Sequence, residues 1–120
     1  MKIPYGYIKE QISAMVKEME RRLGRFRCNS KYNLNYKIVL LVDDGIVTMF
    51  AAIQWIRKQN PKELIVAIPI APRDIVDRLR QMADKVVIIS TPFCYNYTGE
   101  FYHVFIDVSD REVEDIMKNV

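Results

Sequence analysis

The sequence predicts an α/β domain: a mainly parallel sheet with flanking helices, in three layers. Two observations carry that expectation. Apolar runs at Ile38–Val42, Leu64–Ala71 and Val86–Ile89 show no polar alternation, the mark of strands covered on both faces in a parallel sheet. Between them lie segments with one apolar face at helical spacing, and strands alternating with helices imply right-handed parallel crossovers.

The elements follow in order. Ile8, Ile12, Met15, Val16, Met19 and Leu23 trace one face of a helix over residues 7–26, with Met15 and Met19 expected in a core. Residues 28–36 form a polar, asparagine-rich loop. The strand at 37–44 follows. A helix over 48–59 has Met49, Ala52, Ile53 and Ile56 as its buried face, Trp55 off the stripe, and Asn60-Pro61 as its stop. The second strand covers 63–71, with Pro69 expected at its end or at an unpaired position because proline donates no hydrogen bond. A helix opens near Pro72 with the stripe Ile75, Leu79, Met82 and Ala83. Its exposed Arg73 stands on the carboxyl side of the second strand. The third strand, 85–90, leads into a loop, Phe93–Tyr102, that holds five aromatic residues. Such a loop can stack on a base, close a pocket, or pack as a flap over the sheet edge. His103–Asp107 is expected to be a short edge strand. Ser109-Asp-Arg-Glu112 reads as a capping box opening a last helix, with Val113, Ile116 and Met117 facing inward.

Bulk properties narrow the function. At 120 residues, half of them hydrophobic, the chain forms one domain with a real core, expected in the cytoplasm. No apolar run approaches the roughly 20 residues of a spanning helix. Net charge is +3, and Arg21, Arg22, Arg25, Arg27 and Lys31 concentrate it near the end of the first helix. With Glu18 and Glu20 nearby, this reads as a solvated helix face, and neither nucleic acid nor a membrane is an expected partner. Cys28 and Cys94 form no metal or redox motif, and the single histidine, His103, leaves no His pair for a metal and no Ser-His-Asp set in sight.

The chemistry concentrates at Val42-Asp43-Asp44-Gly45-Ile46-Val47-Thr48. Two acids leave the carboxyl end of a strand, where open parallel sheets bind ligands. Adjacent carboxylates there can accept hydrogen bonds from hydroxyls or face a hydrated divalent cation. The turn that follows ends at a helix N-terminus, where free N–H groups favour a phosphate.

Val39-Leu-Leu-Val-Asp-Asp-Gly-Ile-Val-Thr48 resembles the phosphoribosyl pyrophosphate signature of type I phosphoribosyltransferases: an apolar strand, two acids, three variable residues, then Thr-Gly-x-Thr. Glu63–Pro72, Ala83–Ile89, Gly99–Tyr102 and Val108–Val113 resemble later segments of one subgroup of predicted phosphoribosyltransferases, so the similarity spans roughly residues 36–118. It implies that Asp43 and Asp44 bind the ribose hydroxyls and act in catalysis, while Gly45, Ile46, Val47 and Thr48 wrap the 5-phosphate. It implies Mg2+ arriving with the pyrophosphate rather than in a protein cage, a homo-oligomer, and a glycosyltransferase activity on an acceptor left open.

Two departures stand against it. After Thr48 the family glycine is replaced by Met49, or three residues are lost between Thr48 and Met49, the preferred reading. Either way the phosphate cradle is damaged, since a Met side chain there is expected to obstruct it. Nothing before Tyr36 resembles the family's earlier strand and pyrophosphate loop, so the chain resembles the carboxyl-terminal portion of such an enzyme. These departures keep a second reading open, a non-catalytic binding or oligomerisation module.

Overall fold

The structure, a computed structural model, describes residues 4–26, 33–46 and 48–119. The chain divides into two compact units: residues 33–105, and the two terminal segments, 1–32 with 106–120.

The central unit holds β1 (Ile38–Val42), β2 (Glu63–Ile70) and β3 (Lys85–Ser90) in the order β1-β2-β3, all parallel. The connections are α2 (Met49–Arg57) and α3 (Arg73–Met82); α1 precedes them in the other unit. Strands in simple sequential order with like-handed crossovers receive both helices on one face. The core follows from that. Met49, Ile53 and Ile56 of α2 and Val76 and Leu79 of α3 pack with Leu64, Val66 and Ile68 of β2. Val76 replaces the expected Ile75 as the deep residue of its helix, and Ile75 and Met82 are only partly buried.

The expectation of strands covered on both faces is corrected. Side chains along a strand alternate between the two faces of a sheet, and here the covered face holds Val39, Leu41, Val86 and Ile88 while Ile38, Leu40, Val42, Val87 and Ile89 stay exposed. Only in β2, the central strand, are the outward residues partly buried. Pro69 lies beyond Ala67, the last β2 residue paired with β1, where a missing N–H costs nothing to that ladder.

Polar bonds fix the ends of the sheet opposite the site. Leu64 N–H donates to Asp84 Oδ2 at 2.7 Å, and Asp84 N–H donates to the Leu64 carbonyl at 2.9 Å. Arg57 ties the end of α2 to the same turn, 3.0 Å from Asp84 Oδ2 and 2.9 Å from the Met82 carbonyl. Arg78 stacks over the Phe50 ring at 4.5 Å, bracing α3 on α2. Tyr36 and Asn60 take left-handed backbone angles (φ 55° and 51°), and Tyr36 N–H donates to the Asn60 carbonyl at 3.0 Å.

The terminal unit pairs α1 (Tyr5–Phe26) with α4 (Asp110–Lys118). Arg21 and Arg25 reach Asp110 at 3.0 and 2.6 Å, and Arg25 also meets Glu114. Hydrogen bonds from Arg21 and Arg22 hold the Glu18 carboxyl down at about 2. The basic cluster is thus largely paired, as expected of a solvated face; Arg27 and Lys31 lie outside the described residues. The capping box forms as expected, with Glu112 N–H donating to Ser109 and Ser109 N–H donating to Glu112. The inward faces do not form as expected: Met15, Met19, Ile116 and Met117 are exposed. Nor do residues 103–107 form a strand. No helix among the described residues is long and apolar enough to cross a membrane.

Candidate functional site

β1 pairs with β2 as far as Val42 opposite Ala67, and the Asp43 N–H makes the last rung, to the Ala67 carbonyl at 3.4 Å. The chain then turns, and Asp43 organises the turn. Its Oδ1 accepts from the N–H groups of Asp44 and Gly45 at 2.8 and 3.3 Å, and its Oδ2 accepts from the Thr48 hydroxyl at 2.6 Å. An aspartate that bonds its own following backbone is a common turn former. Ile46 packs toward the core, and its carbonyl accepts from the Met49 N–H at 3.3 Å, opening α2. Thr48 is the N-cap residue of α2, yet its side chain serves Asp43 rather than the helix.

Asp43, Asp44, Gly45, Ile46 and Thr48 therefore come together in one turn; Val47 lies outside the described residues. The two acids differ in environment. Burial is the largest single influence on Asp43 and pushes its pKa up, but the bonds from Thr48, Gly45 and Asp44 together bring it below the ordinary aspartate value. Asp44 is exposed and faces the Asp43 carboxyl; the hydrogen bond between the two carboxyls, then burial, then the Asp43 charge hold its pKa above the ordinary value. The turn thus presents one firmly ionised carboxylate engaged with its own backbone, and one carboxyl that still holds its proton more tightly.

A second segment reaches this turn, one not assigned to the site by the sequence. A Cβ built on Gly45 would meet only Thr98 Oγ1, at 4.0 Å, so space opens between turn and loop. Thr98 starts the short 3-10 turn Thr98–Phe101, and its hydroxyl bonds the Tyr95 hydroxyl at 2.6 Å. The loop packs on itself: Tyr95 stacks on Phe101 at 5.8 Å and Tyr102 tilts on Phe105 at 5.2 Å. Gly99 permits this packing, because a Cβ there would stand 2.9 Å from the Phe105 ring. The signal for this segment was its run of tyrosines and a threonine at the carboxyl end of β3. Arg73, just past β2, is exposed and makes no ion pair among the described residues.

No family model matches the chain. Two curated proteins of Mycobacterium tuberculosis, from strains CDC 1551 / Oshkosh and H37Rv and each named "Putative phosphoribosyl transferase", are 39% identical to it over 100 residues, 80% of this chain. Over that span the chain is similar to phosphoribosyltransferases, consistent with a carboxyl-terminal portion of that family. It spans about a quarter of the length of these relatives, 23%. The crystal structure of TT1426 from Thermus thermophilus matches 98% of this chain and 58% of its own, with a TM-score of 0.74 and 25% identity.

Within the phosphoribosyltransferase pattern, the departure at Met49 takes a physical meaning different from the one expected. Met49 is fully buried in the core between α2 and the sheet. Its side chain is turned inward, so it does not obstruct the turn. The departure from the family pattern lies instead in where α2 begins: at Met49, directly after Thr48, with the Ala52 N–H already bonded to the Thr48 carbonyl at 3.1 Å.

Proposed function

We propose that this chain is a phosphoribosyltransferase-like protein that binds phosphoribosyl pyrophosphate, or a ribose 5-phosphate ligand, at the Asp43–Thr48 turn and serves transfer of the phosphoribosyl group to an acceptor. The observation that carries this reading is the acid pair at the carboxyl end of β1, joined by one short turn to the N-terminus of α2. Carboxylates accept hydrogen bonds, and a sugar diol offers two donors. The turn and the N-terminal end of the α2 dipole suit the 5-phosphate. In the transfer, the acceptor forms a bond to the anomeric carbon, the bond to pyrophosphate oxygen breaks, and pyrophosphate leaves with the electron pair. Positive charge develops at that carbon, and nearby carboxylates stabilise it.

Mg2+ enters this reading as part of the substrate, carried by pyrophosphate oxygens. Among the described residues no three His, Cys, Asp or Glu side chains gather into a metal cage, and Mg2+ characteristically takes one or two carboxylates plus phosphate and water.

One observation favours the second reading, a non-catalytic binding module. The Gly45 N–H and the Thr48 hydroxyl, both assigned to the phosphate, are engaged by Asp43. A phosphate must displace those bonds. Calorimetry with phosphoribosyl pyrophosphate and Mg2+ tests the ligand claim: heat with the native chain, and none after Asp43→Asn with Asp44→Asn. No heat from the native chain refutes it. Turnover with a panel of nucleobases and amines then separates the enzyme from the module.

A further inference from the structure

Tyr102 carries a hydroxyl with no hydrogen-bond partner. Its ring is partly exposed and rests on Phe105, but the hydroxyl oxygen is sealed from solvent and is unpartnered among the described residues. Buried phenol hydroxyls normally find an acceptor. The segment that carries it lies against the acid turn, with Thr98 Oγ1 4.0 Å from the place of a Gly45 Cβ. The Tyr95 hydroxyl of the same loop is taken by Thr98 at 2.6 Å. Burial first, then the charge of Asp44 in the turn and that of Tyr95 in its own loop, push the Tyr102 phenol up; Asp44 in turn feels Asp43.

Two adjacent carboxylates resist being ionised together. A ribose diol needs both as acceptors, so binding must separate them and supply a donor to the one that moves. We propose that Tyr102 is a positioning residue: when a ribose hydroxyl is bound and the Asp44 carboxylate turns from Asp43, the Tyr102 hydroxyl donates to that carboxylate and holds it toward the sugar. The inference rests on the ribose-binding reading above. It gives an acceptor to a sealed hydroxyl that has none among the described residues.

Tyr102→Phe tests it, because the ring contact with Phe105 survives and only the hydroxyl goes. The melting temperature of the free variant is expected to hold or rise, since a desolvated polar atom without a partner is removed. Affinity for phosphoribosyl pyrophosphate with Mg2+, by calorimetry at neutral pH, is expected to fall about tenfold, as for a lost hydrogen bond to a charged group. The acid limb of the affinity–pH profile is expected to move to higher pH, because ionised Asp44 has lost its donor. An unchanged affinity and profile overturns the inference while leaving the ribose site standing. A melting temperature that falls together with affinity, with the acid limb unmoved, overturns it in favour of simple packing. No binding by the native chain refutes the ribose reading itself.

Discussion

Thr48 donates its hydroxyl to Asp43 across 2.6 Å, so the first acid and the last residue of the turn are joined before any ligand arrives. The bond has opposite consequences for stability and for binding. Thr48→Ala removes a charge-assisted hydrogen bond at a partly exposed site and is expected to cost ~1 kcal/mol of stability, read from urea unfolding. If Thr48 also serves the 5-phosphate, the same variant binds phosphoribosyl pyrophosphate more weakly, whereas Thr48→Ser keeps both properties.

The acid pair should make stability depend on pH in two opposite ways. Asp43 has its folded pKa below the ordinary value of 3.8, so its contribution is present above that value and is lost as pH falls through the lower folded one. Asp44 has its folded pKa above 3.8, so its contribution is present below 3.8 and is lost as pH rises through the folded value. At neutral pH the folded chain therefore carries the like-charge repulsion of the pair. Asp44→Asn is expected to raise the melting temperature at pH 7 and to abolish the ligand site. A melting temperature for this variant at or below that of the native chain at pH 7 would contradict the assignment.

Gly45 separates structural from ligand-related need. Its backbone is not in the left-handed region, and a Cβ meets only Thr98 Oγ1 at ordinary contact distance, 4.0 Å. Gly45→Ala is thus expected to leave unfolding free energy within ~0.5 kcal/mol of native. A phosphate seated against the turn backbone would collide with the added methyl, so affinity for phosphoribosyl pyrophosphate should fall without a matching loss of stability. Loss of both in equal measure would show that the glycine is kept for the fold.

At the opposite end of the sheet, Asp84 Oδ2 accepts from the N–H of fully buried Leu64 at 2.7 Å. That backbone bond first, and then Arg57, hold the Asp84 carboxyl below the ordinary aspartate range. Asp84→Ala leaves a buried donor unsatisfied and is expected to cost ~1–3 kcal/mol. Asp84→Asn, which keeps an acceptor, should cost less. The native contribution is lost as pH falls below 3.8 through the folded value, and urea titrations across that window should show it vanish in Asp84→Ala.

The elements that could be read from the sequence are those whose apolar runs have a single structural solution. β1, β2 and β3 were legible as continuous Val/Ile/Leu runs, and Asp43 and Asp44 as acids at a strand's carboxyl end. What a continuous run cannot report is whether its second face has a neighbour, which is why Leu40 and Ile89 were expected buried and stand exposed. The α3 stripe was misplaced for a related reason: Ile75 and Val76 are equally apolar neighbours, and only packing on β2 selects Val76. The internal role of Asp43 was hidden because the same Asp–Thr spacing serves a ligand cradle or a self-bonded turn. Tyr102 depends on contacts between segments distant in sequence, which no local pattern encodes.

Met49 provides a test of why α2 begins directly after Thr48. In the alignment without a gap its position is the family glycine, and restoring that glycine would be the obvious repair. The structure argues the reverse. Met49 is 0% exposed and lies among the packed residues of α2, β2 and α3. Removing a buried Met side chain costs ~2–5 kcal/mol, and a glycine within a helix adds roughly 1 kcal/mol more. Since a domain of this size holds only about 5–15 kcal/mol in all, Met49→Gly should unfold much of the population rather than rebuild a cradle. Met49→Leu, close in volume, should stay within about 1.5 kcal/mol of native and bind as the native chain does. A Met49→Gly variant that stays folded and binds phosphoribosyl pyrophosphate more tightly would place that side chain in the loop and reverse this account of where the helix begins.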